Sequence, residues 1–322
     1  MVGLEPTNLT ARDFESRVFT ISPHRQFTNS IPCVEVFVKI LYNKGDINFR
    51  YKNLYFCLLL TTLFMSKIIA IVNQKGGVGK TTTAMNLAAH LSEMGKFVLL
   101  VDMDPQGNAT SGLGLDKDTI ENSIYESLAQ KKRIHDIVLN TSHEGLRIAP
   151  SSKNLAGANI EMVGMERREW VLSDLLEEQR HAYDYIIIDC PPSLGLLTIN
   201  SLVSADEVLI PVQAEYYALE GLGQLLETIY LIKEHIKPEL DILGAVITMY
   251  DKRTRLSSDV MQEIRTHFPN KIFDTVIPRN VRLAEAPSFG KTILQYDPNG
   301  NGAKAYESLA REVLQKHEIT IA

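Results

Sequence analysis

Beyond residue 66 the chain alternates two hydrophobic periods. Short runs that are apolar at nearly every position recur along it: Ile68–Val72, Phe97–Val101, Tyr185–Ile188, Val208–Ile210, Ile242–Ile247 and Thr275–Ile277. A strand with one wet face would alternate apolar with polar residues. Continuous β-branched runs instead predict parallel strands covered on both faces. Between them lie stretches with helical spacing. Thr82–Met94 is stopped by Gly95, Gly221–Ile236 is stopped before Pro238, and Ala303–Lys316 closes the series. Strand–helix–strand repetition with right-handed crossovers predicts an α/β fold: a doubly wound, mostly parallel sheet with helices on both faces. With no internal repeat and no Pro/Ser-rich linker after Met65, residues 65–322 read as one domain. In such a sheet ligands sit outside the carboxyl ends of the strands.

Residues 1–64 break the pattern. They carry seven basic and five acidic residues and end in Leu54–Phe64, eleven mostly apolar positions behind Arg50 and Lys52. That run falls short of the roughly 20 residues that span a bilayer. It has the outline of a signal-peptide core, but no small-residue cleavage pattern follows. Met65-Ser66-Lys67 leads instead into the first buried strand. Met65 is therefore expected to be the physiological start, with 1–64 a mis-called or poorly ordered extension. A genuine N-terminal arm is the rival, and the intact mass of the native protein decides between them.

Composition narrows the functional classes. The 322 residues are 45% hydrophobic and 22% charged, as in globular rather than disordered or fibrous chains. The three cysteines, Cys33, Cys57 and Cys190, stand at unrelated spacings and form no CxxC pair, and none of the eight histidines belongs to an HExxH motif. Net charge is −6. Overall charge repels nucleic acid, so any such contact must come from a local patch.

The most specific chemistry lies just after the first apolar run, in Asn73-Gln74-Lys75-Gly76-Gly77-Val78-Gly79-Lys80-Thr81-Thr82. Three glycines let successive backbone N–H groups turn inward toward phosphate oxygens, at the positive end of a following helix. Lys80 is placed to reach the β- and γ-phosphates and Thr81 to ligate Mg²⁺. Lys75 is one cation more than such a loop needs. Two later runs end in carboxylates: Leu100-Val101-Asp102-Met103-Asp104-Pro105, and Tyr185–Ile188 followed by Asp189-Cys190-Pro191-Pro192. Asp189 after an apolar strand is the position for a carboxylate near Mg²⁺, acting through water. Asp-Pro and Cys-Pro-Pro fix the backbone after each carboxylate, which suits loops that sense a γ-phosphate.

The Lys-Gly-Gly-x-Gly-Lys-Thr-Thr run resembles the deviant Walker A motif of the ParA/MinD superfamily. The segments Asp104–Gly114, Asp189–Gly195, Glu215–Gly221 and Ile277–Gly290 look like those of the ParA/Soj partitioning ATPases. The resemblance spans essentially 65–322 and none of 1–64. It implies an ATPase that hydrolyses ATP to ADP and phosphate with Mg²⁺, with Lys75, Lys80 and Asp104 as catalytic residues. Lys75 would reach the phosphates of ATP bound by a partner copy, giving an ATP-dependent homodimer. Asp104 would place the attacking water, Asp102 would lie close to the metal and the switch, and the adenine would lie near Pro278 and Asn280. The resemblance also implies non-specific binding to double-stranded DNA, a ParB-type centromere-binding partner, and a cytoplasmic, nucleoid-associated protein with no membrane contact.

The positions of the cations bear on DNA binding apart from that resemblance. Lys252, Arg253 and Arg255 follow one predicted strand; Arg279, Arg282 and Lys291 follow the next. Parallel strands leave their following loops on one edge, so the two groups are expected to form a patch that grips phosphates without reading sequence. Arg253 and Arg282 fall where the resembling family has DNA-contacting arginines. Two alternatives share the fold. A MinD-like membrane-positioning ATPase would end in a basic amphipathic helix, for which residues 312–322 offer little basic face. A metabolic ATP-dependent synthase would need its own acid–base pocket, for which no candidate stands out.

Overall fold

The computed structural model describes residues 65–215, 218–268 and 271–319. The expectation for 1–64 falls outside them. Among the described residues eight strands form one sheet: β1 (Lys67–Ile71), β2 (Val98–Asp102), β3 (Leu139–Asn140), β4 (Leu146–Ala149), β5 (Tyr185–Asp189), β6 (Glu207–Gln213), β7 (Asp241–Tyr250) and β8 (Ile272–Pro278). Their order is β3-β4-β2-β5-β1-β6-β7-β8. Every neighbouring pair is parallel except β3 with β4.

Among the described residues twelve helices accompany the strands: α1 (Lys80–Glu93), α2 (Asn108–Gly112), α3 (Ile124–Leu128), α4 (Ile134–Ile137), α5 (Leu155–Glu161), α6 (Val171–Glu177), α7 (Leu196–Ser204), α8 (Ala218–His235), α9 (Arg255–His267), α10 (Val281–Glu285), α11 (Ile293–Tyr296) and α12 (Asn301–Ile319), the last three following β8. The strands' strict period of two sorts their apolar residues to opposite faces. Ile68 and Ala70 of β1 join Val101 and Ile188 in a core with α3 to α9. Ile69 and Ile71 join Leu100 and Ile187 in a second core, under α1 and α12. Continuous apolar runs were needed because both faces are covered.

β3 and β4 are absent from the sequence reading. β4 is four residues with Arg147 exposed in the middle, too short and interrupted to register as an apolar run. It nonetheless adds to β2 through Val98↔Leu146 to Val101↔Ala149. The last strand extends beyond the predicted Thr275–Ile277 at both ends, because exposed Asp274 masks its start.

Register places the chemistry. Ile71 stands beside Asp189, and Asp189 stands beside Asp102. β1, β2 and β5 therefore end level, and their following loops share one edge. The chain first builds to one side of β1, through β2, and later crosses to the other, through β6. This reversal is the topological switch point at which such sheets bind ligands.

Candidate functional site

The loop after β1 is pinned at its start. Asn73 donates through Nδ2 to the Pro211 carbonyl of β6 at 2.8 Å and accepts the Lys75 N–H at 3.0 Å. Its far end is held by the Thr248 hydroxyl, which donates to the Val78 carbonyl at 2.8 Å. Between these anchors Gly77 and Gly79 take φ of +75° and +90°, a region that side chains resist. A Cβ built on Gly76 or Gly77 would meet nothing within 4 Å. The loop thus surrounds open space, with the N-terminus of α1 facing it.

Lys80 is buried and donates to the Lys75 carbonyl at 3.1 Å, so its ammonium lies within the loop. Burial lowers its pKa, opposed by the nearby carboxylates of Asp189 and Asp104. Thr81 and Thr82 follow in the first turn of α1, half-buried.

The two carboxylates at the ends of β2 and β5 are both fully buried and differ in their partners. Asp102 accepts the Thr110 N–H at 2.9 Å, the Thr110 hydroxyl at 2.7 Å and the Asp104 N–H at 3.2 Å. Burial still raises its pKa to about 6, although these donors oppose the shift. Neither oxygen of Asp189 has a hydrogen-bond partner among the described residues. Burial, and then the charge of Asp102, push its pKa well up; the Thr81 hydroxyl lies close enough to favour the charged form without closing a hydrogen bond. A buried carboxylate left bare is costly unless something cationic arrives. Of the two acids expected near a metal, Asp189 is the one with oxygens to offer. Asp102 anchors the loop that follows it.

That loop carries Asp104, 8% exposed, whose Oδ1 accepts the Gln106 N–H at 2.9 Å. Ser151 fastens it from beyond β4: its hydroxyl donates to the Asp104 carbonyl at 2.6 Å, and its N–H donates to the Thr110 hydroxyl at 2.9 Å. Thr110 and Ser151 were not found from sequence. Serine and threonine are too common in loops to stand out, and both contacts cross long intervals of chain.

Lys75, half-exposed, ion-pairs with Glu215 Oε2 at 2.9 Å, and Gln213 Nε2 donates to the other Glu215 oxygen. Glu215 lies in a segment quoted for its resemblance, but nothing local marked it as this lysine's partner.

The ring of donors, the open glycine cradle and the bare Asp189 fit a nucleotide polyphosphate with Mg²⁺. No group of three His, Cys, Asp or Glu among the described residues can hold a metal. A cation here would rely on Thr81, water-bridged Asp189 and phosphate oxygens, as Mg²⁺ commonly does.

At the other side of the same edge, Tyr250 of β7 is level with Pro278 of β8, and the Arg279 N–H donates to the Tyr250 carbonyl at 3.0 Å. The two basic loops therefore start together. Asn280 caps α10, accepting the Arg282 N–H at 2.8 Å. The structure also gives each of three arginines a carboxylate that the sequence reading had not paired. Arg253 forks onto Asp251 with contacts of 2.7 and 2.9 Å, Arg255 lies 3.6 Å from Asp259, and Arg282 lies 3.9 Å from Glu285. Arg253 pulls Asp251 down to about 2. Lys252 and Lys291 are exposed.

Residues 66–242 match a protein-family model described as "AAA domain". The chain is 56% identical over 249 residues to the sporulation initiation inhibitor protein Soj of Bacillus subtilis (strain 168), covering 77% of this chain and 98% of that protein. It is 50% identical over 252 residues to the chromosome partitioning protein ParA of Myxococcus xanthus (strain DK1622), covering 78% and 89% respectively. Among solved structures it is similar to cobyrinic acid a,c-diamide synthase of Mycobacterium smegmatis with bound ADP and magnesium. The TM-score is 0.70 at 37% identity, over 79% of this chain and 96% of that one.

Proposed function

We propose a nucleotide-switched DNA-binding cycle for this chain, on the premise that it belongs to the Soj/ParA family of chromosome-partitioning ATPases. The observation that carries the nucleotide step is bare, buried Asp189 beside the open glycine cradle. The loop N–H groups and Lys80 hold the ATP phosphates, with the start of α1 adding its partial positive charge. Thr81 and, through water, Asp189 would hold Mg²⁺, which would supply Lewis-acid stabilisation of the phosphates. Asp104 orients the attacking water, a task of positioning rather than of strong basicity. Pro278 and Asn280 flank the adenine.

Lys75 makes the cycle a switch. Its ammonium leaves Glu215 and reaches the phosphates bound by a second copy, so ATP produces a homodimer. Each copy brings Lys252, Arg253, Arg255, Arg282 and Lys291 to one duplex. The second patch then binds intramolecularly, and avidity rises without new contacts. Binding is non-specific, a ParB-type centromere-binding protein stimulates hydrolysis, and the protein works in the cytoplasm on the nucleoid.

Lys75→Ala should bind ATP yet stay monomeric in sedimentation; ATP-driven dimerisation like wild type overturns the trans role. Replacing Arg253 and Arg282 together by Glu should abolish duplex binding while ATP-driven dimerisation persists. If ATP-bound wild type ignores duplex DNA at low salt, the partitioning cycle falls. The likeness to the M. smegmatis synthase then favours a metabolic activity, tested by whether a small metabolite rather than DNA stimulates turnover. The apolar residues Tyr306, Leu309 and Val313 of α12 are packed in the core, so that face of this helix is already taken.

A further inference from the structure

An aromatic pair stands among the cations that follow β8. Phe289, 65% exposed, stacks on Tyr296 with ring centres 5.3 Å apart and planes at 25°. The Arg282 guanidinium sits over the Tyr296 ring at 5.8 Å. Exposed Lys291 follows Phe289 by two residues, and Val281, 71% exposed, precedes Arg282. Glu285 holds the platform together from beside it, accepting the Tyr296 hydroxyl at 3.2 Å.

Single exposed apolar residues are ordinary. This one differs in being held. Gly290 takes φ of +62° and lies so close to Gly114 that an added Cβ would stand 2.6 Å from the Gly114 Cα. A Cβ on Gly112, two residues before Gly114, would stand 3.5 Å from the Pro287 side chain. The 112–114 segment thus packs against the loop just before and just after Phe289, and Tyr296 supports the ring. An immobilised ring has little rotamer entropy left to lose on binding. Its surroundings choose the partner. Tyr230 and Leu231 on α8 are comparably exposed, but Glu227 and Glu234 lie within one helical turn of both. Around Phe289 stand exposed Arg282 and Lys291, against one half-exposed carboxylate, Glu285, that is already shared by the Tyr296 hydroxyl and Arg282, so the balance there is complementary to a polyanion.

We infer that Phe289 is a base-contacting residue of the DNA surface: its ring enters a groove of duplex DNA while Arg282 and Lys291 hold the phosphates on either side. The inference rests on the DNA-binding reading above. Apolar side chains that enter a groove press on base steps, and aromatic contact with bases tolerates any sequence. A component of the affinity is then independent of salt, unlike the cation contacts, whose strength falls with every released counterion.

The test measures binding of ATP-loaded protein to a labelled random-sequence duplex across a salt series. Phe289→Ala should bind about tenfold more weakly at every salt concentration, with the slope of log affinity against log salt unchanged. Lys291→Ala should lower that slope by about 1. Phe289→Trp should keep the affinity, and its fluorescence should change on adding duplex, with wild type correcting for Trp170. If wild type binds and Phe289→Ala binds equally well, the base contact is refuted while the DNA reading stands. If wild type does not bind, both fall. Loss of ATP-driven dimerisation in Phe289→Ala would make the ring an interface between copies, and a loss confined to single strands would make it a platform for unpaired bases. Either result overturns the inference.

Discussion

The phosphate loop and the basic rim occupy one edge of one sheet, yet they hold their charges in opposite ways. At the loop, Asp102 and Asp189 have no exposure and Lys80 has 7%. Few waters screen them, so each unmet charge is expensive and each arriving partner matters. At the rim, Arg253 and Arg255 are 83% and 93% exposed and already face Asp251 and Asp259. Exposed pairs exchange partners at little net gain. The loop should therefore bind strongly through few residues. The rim should bind weakly through many, and depend on two copies acting together.

The sharpest way to break this contrast is at Lys80. Lys80→Ala should weaken ATP binding about a hundredfold by calorimetry, since it removes charge-assisted contacts from a buried site. A loss below threefold would mean that the buried lysine is not the phosphate ligand. Asp104→Ala should take up ATP normally while turnover falls at least about tenfold, equivalent to ~1.4 kcal/mol of barrier. Unchanged turnover would remove Asp104 from the reaction.

Thr110 tests whether the buried network is structural support for Asp104. Thr110→Val deletes the hydroxyl that donates to Asp102 and accepts from Ser151. It should cost about 1–3 kcal/mol of stability. It should lower kcat more than it raises KM for ATP, with Thr110→Ser restoring both. Equal loss in the serine variant would mean that the methyl group, not the hydroxyl, matters.

Asp189 probes the cost of a bare buried charge. Its folded pKa is raised above the unfolded value, so the folded state binds the extra proton between the two. This group's contribution to stability therefore declines as pH rises through that window. In nucleotide-free protein, Asp189→Asn should raise the melting temperature at pH 7.5 by about 4 °C. The gain should vanish in acid, where Asp189 is already neutral, and hydrolysis should be lost throughout. A gain that persists unchanged to low pH would show that ionisation is not its origin.

The smallest effect belongs to the rim. Asp251→Asn releases Arg253 from its own chain and should raise duplex affinity about threefold at low salt, fading as salt is added. Weaker binding in this variant would show that Asp251 orients Arg253 for DNA rather than competing with it.

These residues also separate two kinds of information. The phosphate loop was legible because its chemistry is contiguous: glycines, Lys80 and Thr81 are covalent neighbours, and their positive φ angles are local properties of Gly77 and Gly79. The six apolar runs were legible because both-face burial leaves a continuous signature, which fails for short, half-exposed β4. The sites of Asp102 and Asp189 at strand ends followed from the same pattern. Which of the two carboxylates would be saturated and which bare did not. Nor did the partners of Lys75 and Asp104, since Glu215 and Ser151 lie 140 and 47 residues away. The conformation of the phosphate loop and the presence of the six doubly covered strands depend on near neighbours, and the sequence alone determined them; where several of those strands end did not follow from it. Pairing between distant side chains depends on strand order and register, which the whole sheet settles together, so only the tertiary structure decided it.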